Sequence, residues 1–566
     1  MSADATLLWM LVEHLLLTGL PAALGVFVAM RRGLSGVPLL LGVALAASGL
    51  TAMLAFWAYY ADPTLGQATA FLIVLGSIQG IVMARPDRLD RELLRELAVP
   101  AALWALGSAF VLYLGFLHGG GDQPLALATI RFSHPLPTDN DIPRFFADWY
   151  YHHGHHGPPP PFGDWLSSDR PPLQSGYVLA QRPFGWDDSG RHYQVLGVVV
   201  QQLWILGMWA VLCAARIRPF VRGLAIFALM VSDIAIVHGF FVWPKLIAAA
   251  FVLAAFAIVL SEDWRRLRHS PFVAVLFAAL CALAMLAHGA SAFGLIPLLI
   301  VGAVRGLPDW RWLGIAALVG IVLLAPWSAY QRLADPPGDR LLKWQLGGSL
   351  EIDDRGALET IGDGYRTAGF DGTLENKWGN VTKLVGQKDV EGAVERAVEE
   401  IGEGHPGRAV EALRLPRFFS LLPLVGFLLI GPLAMLFARA RGRPDGPEWR
   451  FALLCFAFCG LACAIWALLM FGEPDSSTLL HVGSLVVPLL AICACVVGAY
   501  SVYPRLSIAL VALNAIFALA LYVPALSPPP GTSYSVVAAL IAAASLAGFV
   551  WVAFRHGHQH PAKASA

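Results

Sequence analysis

Long apolar runs recur from one end of this sequence to the other, and they leave few folds open. They lie near 7–30, 37–60, 66–84, 98–118, 195–215, 220–240, 242–260, 271–288, 290–304, 311–327, 418–438, 451–471, 480–499, 505–525 and 534–554. A helix that crosses a bilayer needs about 20 mostly apolar residues. The runs predict an all-α polytopic membrane protein of about 13–15 transmembrane helices, the range reflecting the short, closely set runs between 220 and 304. Composition agrees: 14% of the 566 residues are charged, against roughly 25% in soluble globular proteins.

The connecting segments sort by charge. Arg31-Arg32, RPDRLDRELLRE (85–96), RIRPFVR (216–222), EDWRRLRH (262–269), RARGRPDGPEWR (439–450) and the tail from Arg555 are basic. They alternate with the other segments as the positive-inside rule requires of cytoplasmic loops. The long segments 119–194 and 328–417 then face the outside. The opening MSADATLLWMLVEHLLLTGL has no basic stretch or small-residue cleavage site, so it reads as a first spanning helix and not a removed signal. A formal net charge of zero argues against a nucleic-acid partner, which needs a basic surface.

Other features narrow the classes. Cys213, Cys281, Cys455, Cys459, Cys463, Cys493 and Cys495 all fall in apolar runs and imply no disulfide framework. No GxxxxGK[ST] loop is present, so the energy for any reaction comes with the substrate. No internal repeat of the kind common in transporters is visible. Within 328–417, DVEGAVERAVEEIGEGHPGRAVEALRLPRFF predicts two short amphipathic helices broken at Gly404-His405-Pro406, either a cap over the membrane part or a surface for an acceptor. Asn380-Val381-Thr382 matches a glycosylation acceptor, a match common by chance.

One polar stretch stands apart: RFSHPLPTDNDIPRFFADWYYHHGHHGPPPPFGDWLSSDRPPLQSG, residues 131–176. Pro143 suits the first turn of a helix, and Asp139, Asn140 and Asp141 stand where they would cap it. Phe145, Phe146, Trp149 and Tyr150 fit one face of that helix at the membrane interface. An external acid within reach of an acceptor hydroxyl can act as a general base. The ordinary alternatives are helix capping for Asp139 and Asp141, and a surface ion pair for Asp169 with Arg170. His152, His153, His155 and His156 are metal-ligating types, but their Gly/Pro tract suits a closed tetrahedral site poorly.

These acids, the helix after them and SDRPPL, with HGFFVWPKLIAAAF (238–251) and LAHGASAFGLIP (286–297), resemble the GT-C superfamily of membrane glycosyltransferases. The likeness is to bacterial members related to protein O-mannosyltransferases and aminoarabinose transferases, which place an acidic pair in the first external loop before a D-x-P-P-L segment. It covers roughly residues 98–345. Two departures stand out: three additional apolar runs precede the loop, and the acids read D-N-D. The resemblance implies a GT-C-like helical bundle with extra helices at 1–97, a catalytic core at 98–330 containing loop 119–194, an external segment with amphipathic helices at 331–417 and further helices at 418–566. It implies transfer of a hexose or pentose from a polyprenyl-phosphate donor to a hydroxyl on a lipid, glycan or protein, with inversion, at the external face of a bacterial inner membrane. Asp141, nearest the helix start, is the first choice of base and Asp139 the second. Asp169 orients the acceptor or its loop, and Arg170, Trp149 and Tyr150 contact the acceptor. No cofactor is certain; Mg2+ or Mn2+ on Asp139 or Asp141 fits carboxylate chemistry, and the family includes members with and without such an ion.

Cations would hold the donor phosphate. Lys245 lies in the apolar FFVWPKLIAA, where an ionisable group is functional by default unless it snorkels to the interface. His238 and His288 fall at the same membrane level. Arg340 and Lys343, at i, i+3, share a helix face and suit phosphate or a headgroup anchor. Three competing readings stay open. A lipid or sugar transporter or flippase would place ionisable groups inside spans, and Glu13 and Asp233 are the best such residues. An O-antigen ligase or polymerase would rely on arginines and a histidine in a later loop. A scaffold would be indifferent to loss of the loop acids.

Overall fold

The apolar runs fold as helices. The computed structural model describes residues 3–86, 89–132, 136–157, 159–186, 189–414, 420–442, 446–472, 485–524 and 534–555. The basic tail past residue 555 and the start of the 480–499 run lie outside the described residues. Among the described residues there is no strand, only one isolated bridge between Phe162 and Trp165.

Ten helices are long and apolar enough to cross a membrane, and the count rises to 11 if a bent pair, Pro219–Met230 with Ile234–Phe241 at 62°, is one span. Four further apolar helices are shorter: Lys245–Leu260, Pro271–Ala287, Gly289–Arg305 and Val486–Val502. The chain is thus a polytopic helical membrane protein. By length it has fewer full spans than the 13–15 expected. The reason is burial. At 1.5 Å per residue, the 16 residues of Lys245–Leu260 reach about 24 Å, short of the roughly 30 Å hydrocarbon layer. Every one of them is buried, so this helix is wrapped by protein and need not match lipid.

The outer helices show the opposite pattern. In α1 (Ala3–Arg31), α2 (Val37–Ala61), α3 (Pro63–Ala84) and α4 (Arg91–Gly115), only α2 and α4 are mainly buried. On α3, Leu72, Val82 and Met83 are each more than two-thirds exposed. Ile321 and Val322, each more than half exposed, project from Trp310–Leu333. An apolar surface around a filled interior belongs in lipid. Polar caps mark the ends: Asp62 accepts from Leu65 N–H at 2.9 Å, Asp90 from Glu92 N–H at 2.9 Å and Asp309 from Trp312 N–H at 2.8 Å, each satisfying an N–H that the helix cannot.

α2 packs against Leu173–Gln181, Trp204–Ala214, Lys245–Leu260 and Pro271–Ala287, and Val536–Arg555 lies along α4. The segment after Trp310–Leu333 carries Arg340–Gly347, Ala357–Val385, Gln387–Gly402 and Pro406–Arg414; the last two form the expected pair, with their break at residues 403–405. Asn380 anchors this segment. It is 1% exposed, and its amide donates to Ala467 O and Met470 O at 3.1 and 2.9 Å, which keeps it out of reach of a glycan.

Candidate functional site

Two turns bring the polar groups together, and a buried amide network holds both. Thr138–Asp141 is a 3-10 turn. The second lies between Gly239–Phe241 and Lys245–Leu260, where Val242 has φ 57°. A β-branched residue in that region is strained, and such strain collects at functional sites. Gln174 Nε2 donates to Val242 O and to the Tyr193 hydroxyl, both at 2.8 Å. Tyr193 in turn donates to Asn140 O at 2.7 Å. Gln201 Oε1 takes the first-turn N–H groups of Leu246 and Ile247 at 3.1 Å each. Gln174, Tyr193 and Gln201 are all nearly inaccessible, so the turn with the acids and the turn with the lysine are fixed relative to each other.

Between them sits Asp139. Its Oδ1 accepts from Trp243 Nε1 at 2.6 Å and its Oδ2 from Arg170 Nη2 at 2.7 Å. Lys245 Nζ lies 3.1 Å from the centroid of the Trp243 ring, a cation–π contact. Lys245 is 2% exposed, and its Nζ makes no hydrogen bond among the described residues. Arg170 rests on the Trp165 ring at 4.2 Å. Asp139, Arg170, Lys245 and His288 line a cavity of 1390 Å³. Leu286, Phe293, Ile296, Leu324 and Trp327 supply an apolar wall. His288 Nδ1 accepts from Ala290 N–H at 3.2 Å.

The other expected residues divide. Asp169 also lines the cavity. Its Oδ2 accepts from Leu166 N–H at 2.9 Å and faces Arg340 at 3.2 Å, so it pairs with Arg340 and not with its neighbour Arg170. Burial pushes its carboxyl up, opposed by the Leu166 N–H, Arg340 and Arg170. Asp141 neither caps the helix Ile142–His153 nor lines the cavity. Arg144 grips both its oxygens at 2.6 and 2.7 Å and reaches Asp148 and Ser189 at 3.0 Å. Burial raises the Asp141 carboxyl, against Arg144. Arg340 and Lys343 do share a face, but acids and carbonyls occupy both: Arg340 bonds Asp164 O and Leu350 O, and Lys343 pairs with Asp339 at 3.1 Å and Asp353 at 3.0 Å. His238 is buried and stacks near Trp243 at 6.1 Å, outside the cavity lining. Trp149 stacks on His153 at 4.1 Å. Tyr150 lines a separate aromatic cavity of 380 Å³ with Trp57, Tyr60 and Tyr330. In the histidine run, His153 bonds Trp149 O and His155 bonds Ala61 O.

No family model matches this chain, and no curated protein or solved structure matches it. The likeness to GT-C enzymes therefore rests on the short motifs quoted above.

Trp243, Trp165 and the Gln174–Tyr193–Gln201 network are site residues that reading the sequence did not single out. Only Trp243 carried a signal, two positions before Lys245 across Pro244. Chemically, the site offers a carboxylate with lone pairs left over, a desolvated lysine Nζ, a guanidinium and an apolar wall in one cavity. That set can take a proton from a hydroxyl and hold an anion whose remainder is greasy.

Proposed function

We propose that the protein is a glycosyltransferase that moves a sugar from a polyprenyl-phosphate carrier to a hydroxyl acceptor. One observation carries the reading: Asp139 at the indole N–H of Trp243 and the buried Lys245 over its ring line one cavity with an apolar wall. The acceptor O–H gives its proton to Asp139. Its oxygen forms the new bond to the anomeric carbon as the carbon–phosphate-oxygen bond breaks. The electron pair leaves with the polyprenyl phosphate, and Lys245 and Arg170 stabilise that charge. Asp139 is preferred over Asp141 as the base, because Asp139 lines the cavity and Asp141, gripped by Arg144, does not. Arg340 and Lys343 shape the wall through their acids and are not the phosphate ligands of this reading.

The test is transfer of label from a panel of radiolabelled polyprenyl-phosphate sugars in membranes. Asp139→Asn lowers transfer by about 10²–10⁴-fold, while Asp141→Asn retains it. Equal transfer in wild type and Asp139→Asn removes Asp139 from the chemistry. A transport reading has one observation of its own, the 62° break beside Asp233, since broken helices mark many transporter sites. Movement of intact donor across proteoliposomes, blocked by Asp233→Asn, would favour it.

A further inference from the structure

Away from that cavity, Glu13 and His14 interrupt the apolar helix α1, and ionisable groups are costly inside a span. His192, near the start of Ser189–Gln201, meets them. One ligand atom from each of Glu13, His14 and His192 lies within 4.8 Å of the other two. His14 Nε2 and His192 Nδ1 are 3.1 Å apart. Two nitrogens about 2.1 Å from a shared ion would stand roughly 3.0 Å apart at a 90° ligand angle and about 3.4 Å apart at the tetrahedral angle. The observed separation falls in that window.

The surroundings prepare His14 to be a ligand. Its Nδ1 is 2.8 Å from Gln181 Oε1, and Gln181 Nε2 donates to Thr18 Oγ1 at 3.0 Å. That bond turns the amide oxygen towards the ring, so Nδ1 is the donor and Nε2 keeps its lone pair. Metal-binding histidines commonly give their second N–H to an oxygen behind them in this way. Trp186 stacks on His192 at 5.2 Å and meets His14 edge-on at 5.7 Å. His14 and His192 are buried, and Glu13 is part-exposed, which leaves a side for exchange.

We propose that Glu13, His14 and His192 bind a divalent transition-metal ion, with Zn2+ the first choice. Two imidazoles and one carboxylate suit Zn2+ and its neighbours, whereas Mg2+ and Ca2+ prefer oxygen alone. None of the three residues lines the Asp139 cavity, so the ion would tie α1 to Ser189–Gln201 and take no part in sugar transfer. The four histidines of the 152–156 run are the control for surface binding.

The full chain is purified in detergent, stripped with chelator and dialysed against Zn2+ or Co2+. Bound metal is then measured by mass spectrometry and, for Co2+, by its visible absorption. Wild type is expected to retain one ion per chain. His14→Ala and His192→Ala weaken binding at least tenfold, and Gln181→Leu weakens it about 10–100-fold. Simultaneous His→Ala changes at 152, 153, 155 and 156 leave the ion in place. If wild type retains no ion, or if the ion departs with the 152–156 changes, the site is overturned and the contact is an ion-free histidine pair. Zn X-ray absorption of wild type makes the result independent of variant folding: a shell with two imidazoles supports the site, and an all-oxygen shell overturns it.

Discussion

Two aspartates two residues apart have opposite fates, and their partners explain why. Asp141 is locked by Arg144, three residues on, a pairing visible in the sequence spacing. Asp139 is held by Arg170 and Trp243, 31 and 104 residues away, which no local pattern announces. Preference for Asp141 followed from its nearness to the helix start; the cavity lies on the side of Asp139. Arg144→Met leaves the half-buried Asp141 without its cation and Asp148 with Arg182 alone, and is expected to cost about 1–3 kcal/mol, read as a lower Tm, with transfer retained in the folded fraction. Asp169 gives a pH prediction. Burial raises its folded pKa, so the stability it contributes is full below the ordinary carboxyl pKa of about 4 and is lost as pH rises through the raised value. The stability of wild type should therefore fall relative to Asp169→Asn as pH climbs from about 4. A difference that stays flat or rises would show that Arg340 and the Leu166 N–H outweigh burial.

The helix after the acids and the break at 403–405 could be read from Pro143 and from Gly404-His405-Pro406. The segment Ala357–Val385, two helical stretches kinked at Gly369 with φ 63°, could not, because its stretches contain Gly362, Gly364, Gly372 and Gly379, and glycine costs roughly 1 kcal/mol per helical position. The turn at Val242 was equally hidden, since nothing local marks a valine for positive φ. Its fit to the neighbouring helix is tight. A Cβ on Gly197 would meet Val242 Cγ1 at 2.5 Å and Cβ at 2.7 Å. A Cβ on Gly207 would meet Ala250 O at 2.5 Å, one helix along. Both Gly→Ala changes should cost about 1–3 kcal/mol through overpacking. Only Gly197→Ala pushes on the turn that carries Trp243 and Lys245, so it should lower transfer well beyond Gly207→Ala at matched folded protein. Equal transfer by the two would mean that the turn yields without moving the lysine.

Across the whole molecule, the number of helices was legible and their reach was not. Each of the fifteen apolar runs has its helix, yet hydropathy cannot tell a helix that meets lipid from one buried among other helices. The difference decides topology by parity. If all fifteen segments cross, position 3 lies outside and position 555 inside, as the basic loops require. If only the ten long helices cross, both lie on one side. Single cysteines at Ala3 and Arg555 in a cysteine-free background, probed with an impermeant maleimide, should label from opposite faces; same-side labelling would mean that some short helices turn back. The pairing of α4 with Val536–Arg555 adds a question of timing. At 5–20 residues per second, the later helix emerges roughly 20–80 s after the earlier one. During that interval the surface of α4 at Gly107, which already has Ile205 and Met230 beside it, lacks Phe549, and lipid or the insertion machinery has to keep its place. Assembly of this molecule is therefore a matter of waiting: one side of α4 stays open to quality control until the last described helix has been made.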